Sequence, residues 1–172
     1  LFICIDQEGG MVTRIKQGAT YFPGAMTLSA SKNPKNAYQS GKLMGAELKA
    51  LGINMNLAPS LDINNNPNNP VIGVRSFGDH AEIVKSYGLE NIRGMQENVI
   101  ATAKHFPGHG DTSVDSHLDL PKVEKSFDQL NELEIEPFRA AIKAGVKAIM
   151  SSHINFPAIT ENGLPSTLSY QA

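Results

Sequence analysis

The chain has 172 residues, with 15 Lys and Arg set against 17 Asp and Glu, for a net charge of −2. That length suits one domain with a core of its own, and so balanced a charge offers neither a nucleic-acid-binding surface nor a polybasic membrane patch. Cys4 is the only cysteine, which excludes an intrachain disulfide framework and a cysteine-based zinc site, and no apolar run approaches the roughly 18 residues that a membrane helix needs.

The chain opens inside an apolar run, "LFICI" (residues 1–5), which reads as a buried strand leading into the polar turn "DQEGG". Because Leu1 stands where a Met would begin a complete chain, the run also reads as the interior of a longer protein. Residues 33–52 follow as a helix, with Pro34 near its start, Gly52 just past its end, and an apolar stripe of Ala37, Leu43, Met44, Leu48 and Leu51. A second strand is expected over 53–63 ("INMNLAPSLDI"), then the loop "NNNPNNP" and the short motif "GVRSFG". Residues 79–98 form the next helix, with Ile83, Val84, Tyr87, Ile92 and Met95 on its apolar side. A third strand begins at "IATA" (100–103) and runs into the loop "KHFPGHGDTSVDSHLDLP". The helical pattern over 126–145 has Ser126 as its N-cap and Pro137 inside it, so a kink or two helices are expected. The fourth strand covers 146–154, and "LPSTLSYQA" closes the chain as a turn and the start of another helix.

Strand and helix alternate, which predicts an α/β protein with parallel strands. No G-x-G-x-x-G or G-x-x-x-x-G-K motif follows a strand, so a nucleotide fold is disfavoured. Charged residues instead gather just after the strands: Asp6, Asp62, Lys104, His105 and His153. A (β/α)8 barrel keeps its active site there, but needs about 250 residues and eight strands. The expected fold is therefore a partial TIM barrel with about four of its strands.

Three segments carry candidate chemistry. Asp6, at a strand end, can accept hydrogen bonds from a polyhydroxylated ligand, or simply pair with Arg14. Arg75, between glycines, can reach into a cleft or remain a solvated loop residue. His105 and His109 lie four apart, but Pro107 and Gly108 between them rule out a helical metal pair. A metal held by His105, His109, Asp111 and His153 stays open as an alternative. Asp115 and His117 fall two apart, on one side of an extended segment and roughly 6.6 Å apart along it. A carboxylate bonded to one imidazole nitrogen fixes the tautomer and leaves the other nitrogen to carry a proton. Spacing alone favours the plainer option of two exposed loop residues.

At these motifs the sequence resembles a known family. "DQEGG", "GVRSFG" and above all "KHFPGHGDTSVDSH", together with "NMNLAPSLDI", resemble the NagZ-like β-N-acetylglucosaminidases of glycoside hydrolase family 3 over the whole chain. The resemblance implies that residues 1–172 are a fragment of a single catalytic (β/α)8 barrel domain. It implies that His117 is the general acid/base and Asp115 its orienting partner. It implies that Asp6, Arg14, Arg75, Lys104 and His105 hold the N-acetylglucosamine, that His153 lines the site, and that His109 shapes the loop. Met11 stands where many relatives carry Arg, which changes the floor of the site, while Arg14 is kept.

The reaction implied is retaining hydrolysis of terminal β-linked N-acetylglucosamine, with the His–Asp pair in place of the usual acid/base carboxylate and with no metal or other cofactor. In relatives the nucleophile is an Asp further along than this chain reaches, so the fragment alone is expected to be inactive and, with its sheet edges uncovered, to self-associate. The expected ligand is a cell-wall or chitin-derived β-N-acetylglucosaminide, peptidoglycan turnover is the setting implied, and both cytoplasmic and exported members exist. A metal-dependent hydrolase on a similar barrel and a non-catalytic sugar-binding protein are the competing readings.

Overall fold

The computed structural model describes residues 1–113 and 120–172. Among them, four parallel strands form one sheet in sequence order: β1 (Cys4–Ile5), β2 (Met55–Asn56), β3 (Ile100–Phe106) and β4 (Ala148–Ser151). The connections are helical. α1 (Ala25–Ala30) and α2 (Pro34–Ala50) link β1 to β2, α3 (Ala81–Met95) links β2 to β3, and α4 (Phe127–Glu132) with α5 (Glu136–Lys143) links β3 to β4. Sequential strands joined by helices are the repeating unit of a (β/α) barrel.

The strands are shorter than the apolar runs suggested. Leu1, Phe2 and Ile3 are 108%, 68% and 48% exposed, and Ile149 of β4 is 40% exposed. β1 and β4 are the outer strands of the sheet, with no further strand beside them among the described residues to cover these side chains. The run 53–63 is a ladder only at Met55–Asn56, yet it keeps following β3: Thr102 N–H donates to Ala58 O at 2.9 Å, Lys104 N–H to Pro59 O at 3.2 Å, and Leu61 N–H to Lys104 O at 2.6 Å. This shadowing carries the chain to Asp62, beside the C-terminal end of β3.

Helix ends follow local chemistry. Asn33 caps α2 by accepting from Lys35 N–H, Pro34 occupies the first turn, and Gly52 lies just beyond in the left-handed region (φ 79°). Ser126 and Gln129 form a capping box on α4. Pro137 sits in the first turn of α5, so the pattern over 126–145 is two helices. The buried face of α2 differs from the expected stripe: Ala37, Met44 and Leu48 are buried, but Leu43 and Leu51 are 55% and 59% exposed. Their places are taken by Ser40, Gly41 and Gly45. A Cβ on Gly41 would stand 2.2 Å from Asn91 O, and one on Gly94 would stand 2.1 Å from Tyr38 O. α2 and α3 thus meet backbone to backbone, an approach that only glycine permits. Ile83, likewise, is 38% exposed.

The main core lies between the helices and the sheet, around Met44, Leu48, Leu61, Val84, Ile92, Met95, Ala101, Ala103 and Phe138. A smaller cluster of Val123, Leu130, Ile154 and Phe156 sits under the 121–124 segment, where Val123 N–H donates to Asn155 O at 3.0 Å.

Candidate active site

The C-terminal ends of the strands gather the polar residues. Gln7 N–H donates to Asn56 Oδ1 at 3.0 Å, and Asn56 Nδ2 donates back to Gln7 O at 2.8 Å, which fixes the chain as it leaves β1. The Gln7 side chain then accepts from Arg14 N–H at 2.7 Å and folds the loop back on itself. Gly9 (φ 89°) makes that turn, where a Cβ would meet Pro23 O at 2.5 Å. A cleft of about 360 Å³ opens above, lined among others by Asp6, Arg14, Arg75, Lys104, His105 and His153. The residues that the resemblance assigns to sugar binding therefore come together at the C-terminal ends of the four strands: Lys104 and His105 from the last residues of β3, and the others from the segments that follow β1, β2 and β4. Asp115 and His117 lie outside the described residues.

A chain of charges forms the floor. Lys104, its side chain 2% exposed, places Nζ 2.7 Å from Asp6 Oδ1 and 2.7 Å from Glu8 Oε1. Glu8 also takes a two-pronged bond from Arg75, Nε to Oε2 at 3.0 Å and Nη2 to Oε1 at 2.8 Å. Arg75 Nη1 is held by Val71 O at 3.1 Å. Asp6 thus pairs with Lys104 and not with Arg14, whose guanidinium makes no ion pair among the described residues. His153, in the chain just beyond β4, is exposed and braced by Thr167 Oγ1 at 2.7 Å.

The second layer centres on Asp62, which is fully buried. Its carboxylate faces the His105 ring at Nδ1 (2.6 Å) and accepts from His109 N–H (2.7 Å). The loop behind is sewn down by Asn69. Its Nδ2 donates to His109 O at 2.8 Å and Gly110 O at 3.0 Å, while its Oδ1 accepts from Val71 and Ile72 N–H, each at 2.8 Å. The Asn-rich loop and the His-bearing loop are therefore one folded unit.

Glu8 and Asn69 are not singled out by the sequence, and Asp62 is placed by it at the active-site end of the strands but given no role. Glu8 had one local signal: it lies two positions after Asp6, on the same side of an extended segment. The proposed metal set is not assembled. Asp111 pairs with Lys125 at 2.8 Å, His109 Nδ1 faces Thr112 Oγ1 at 2.9 Å, and His105 and His153 use Nδ1 as described. Among the described residues no three His, Cys, Asp or Glu side chains are grouped to hold a metal ion.

Burial, the largest influence on Glu8, pushes its carboxyl up, but the bonds and charges of Arg75 and Lys104 outweigh it and hold the carboxyl below its usual range. The same contest at Asp62 is won by His105 and then His109, which keep it ionised. His109 itself is pushed down, chiefly by burial, against the pull of Asp62. Both carboxyls bind protons more weakly folded than unfolded, so their stabilisation is complete above the ordinary carboxylate pKa of about 4 and is lost as pH falls through the lowered folded values. The urea midpoint is expected to slip below about pH 6.5, where His109 takes up a proton more readily unfolded than folded, and to fall steeply below about pH 4 as the two carboxylates are protonated. A midpoint unchanged through that acid range would contradict this account of the two carboxylates.

A parallel sheet with crossing helices and a polar cleft at the strand ends is part of a TIM-barrel-like α/β fold. Residues 1–172 match the glycosyl hydrolase family 3 N-terminal domain, and the chain belongs to that family. Beta-hexosaminidase A of Pseudoalteromonas piscicida is 43% identical over 187 residues, covering 99% of this chain and 31% of its own length. A glycoside hydrolase family 3 β-N-acetylglucosaminidase from Paenibacillus sp. str. FPU-7 superposes with a TM-score of 0.96 at 57% identity, over 98% of this chain and 32% of that one. NagZ from Neisseria gonorrhoeae, in complex with N-trifluoroacetyl-D-glucosamine, gives 0.88 at 34% identity, over 96% of this chain and 50% of that one. The chain thus spans between 31% and 50% of the length of these relatives. No helix among the described residues is long and apolar enough to cross a membrane.

Proposed function

We propose that this chain supplies the sugar-holding half of a retaining β-N-acetylglucosaminidase barrel, cleaving terminal β-linked N-acetylglucosamine from cell-wall or chitin-derived saccharides. The observation that carries the reading is the Lys104 ammonium held between Asp6 and Glu8 on the floor of a cleft at the strand ends. A sugar is an uncharged ligand dense in hydroxyls, each needing a donor and an acceptor. Lys104, Arg75 and Arg14 offer donors there, and Asp6 offers acceptors. The relatives support the sugar class: one is named a β-N-acetylglucosaminidase and another holds an N-acylated glucosamine derivative.

In this scheme His117, oriented by Asp115, protonates the leaving oxygen and later activates the water that releases the sugar. An imidazole titrates near neutral pH and so serves in both directions. A carboxylate nucleophile completes the retaining mechanism, and we assign it to a part of the barrel outside residues 1–172. Those residues then form one portion of a single catalytic domain, and the uncovered apolar side chains at β1 and β4 drive the isolated chain to self-associate.

The purified 172-residue chain is expected to leave 4-nitrophenyl β-N-acetylglucosaminide uncleaved, whereas a full-length enzyme containing it turns the compound over. The chain's sedimentation is expected to shift to larger species with concentration. Robust turnover by the isolated chain would sink the half-site reading.

A further inference from the structure

We infer that Asp62 is a positioning residue for the candidate sugar site: it locks the His105 ring with its proton on Nδ1 and thereby presents Nε2 to the ligand. The inference rests on the sugar-binding reading of the cleft but names a residue that never meets the sugar, since Asp62 is fully buried. Both of its oxygens are committed. Oδ2 faces His105 Nδ1 at 2.6 Å and accepts from Ser60 Oγ at 2.9 Å. Oδ1 accepts from His105 N–H at 3.2 Å and from His109 N–H at 2.7 Å. One carboxylate therefore ties down the ring and the main chain of the same histidine.

An ionised carboxylate only accepts hydrogen bonds, so the ring nitrogen facing it carries a proton. The remaining nitrogen, Nε2, lies across the ring, and His105 lines the cleft with its side chain 16% exposed. The His109 ring packs edge-on against it, with centroids 5.5 Å apart and planes at 72°, which restrains rotation from the other side. With the proton on Nδ1, Nε2 of the neutral ring is an acceptor, in a cleft that Lys104 and Arg75 also line as donors. A sugar hydroxyl can then donate to His105 while accepting from a neighbouring cation. That pairing is lost if the proton moves to Nε2.

The test uses Asp62→Asn, nearly identical in shape. The Asn carbonyl can keep the two main-chain bonds, but its NH2 group meets Nδ1 and requires an acceptor there. In histidine-labelled full-length enzyme, the ring 15N signals of His105 are expected to exchange their protonated and bare identities between wild type and D62N. In the full-length enzyme, KM for a chromogenic β-N-acetylglucosaminide is expected to rise about 10- to 100-fold, with kcat falling less, because the ligand loses a positioned contact. A wild-type spectrum with a bare Nδ1 overturns the inference, and this measurement decides the matter even if the variant fails to fold. A tautomer exchange that leaves KM unchanged overturns the positioning role. If the wild-type full-length enzyme has no turnover, the hydrolase reading itself fails, while the ring spectrum still reports on Asp62 alone.

Discussion

Lys104→Met is expected to destabilise the protein by about 3 kcal/mol, and to weaken sugar binding by the full-length enzyme at least about 100-fold. Met keeps most of the buried stem, so the change isolates the charge. Without it, Asp6 and Glu8 face one another across the floor of the cleft, where Lys104 now sits 2.7 Å from each. Removing one partner of a buried pair typically costs about 3–5 kcal/mol, because the charge left behind is uncompensated. The lower end applies here for two reasons. Asp6 is 36% exposed and can be solvated, and Glu8 keeps its two-pronged bond from Arg75. Urea unfolding at neutral pH measures the first effect and ligand titration the second. An unshifted midpoint with intact affinity would mean that the ammonium is dispensable.

Gly110→Ala is expected to be as damaging, by a different route. A Cβ at this position would lie 1.6 Å from Ile63 O and 2.5 Å from Ile63 C, so the backbone of one loop must leave the other. The separation breaks the bonds by which Asn69 holds His109 O and Gly110 O, and it moves the loop that follows β3. Overpacking of this kind costs about 1–3 kcal/mol or more. A displacement of about 1 Å near a reacting centre can lower turnover about 100-fold. The urea midpoint of the chain and the kcat of the full-length enzyme are the two readouts. Wild-type values for both would show that the loops have room to separate.

Much of the fold could be read from residues whose effect is local. Pro34, Gly52, Ser126 and Pro137 marked helix ends because capping and φ restrictions act within a few positions. The charged residues after each apolar run marked the C-terminal end of the sheet, where the cleft lies. The α2 face was misjudged because its contact is made by Gly41 and Gly45, which carry no hydropathy signal; their role is defined by Asn91 and Met95 on another helix. Strand burial was misjudged at Leu1, Phe2 and Ile3 because an apolar run does not reveal whether a neighbouring strand covers it. The partnerships of the site were the least legible. Lys104 finds Asp6 at a separation of 98 residues and His105 finds Asp62 at 43, and no local pattern distinguishes these carboxylates from others that cap turns.

The floor of the cleft has one more consequence. Asp6 and Glu8 carry two negative charges, Lys104 and Arg75 two positive, and they are spent on one another. The paired floor therefore projects little field into solvent; Arg14 adds one cation with no ion pair among the described residues, but a neutral saccharide has no net charge for it to attract over distance. Added salt, which screens attraction between distant charges over roughly 10 Å at 0.1 M, has no ligand charge to act on here. Capture of a neutral saccharide by such a surface should proceed nearly equally well in dilute buffer and in brine.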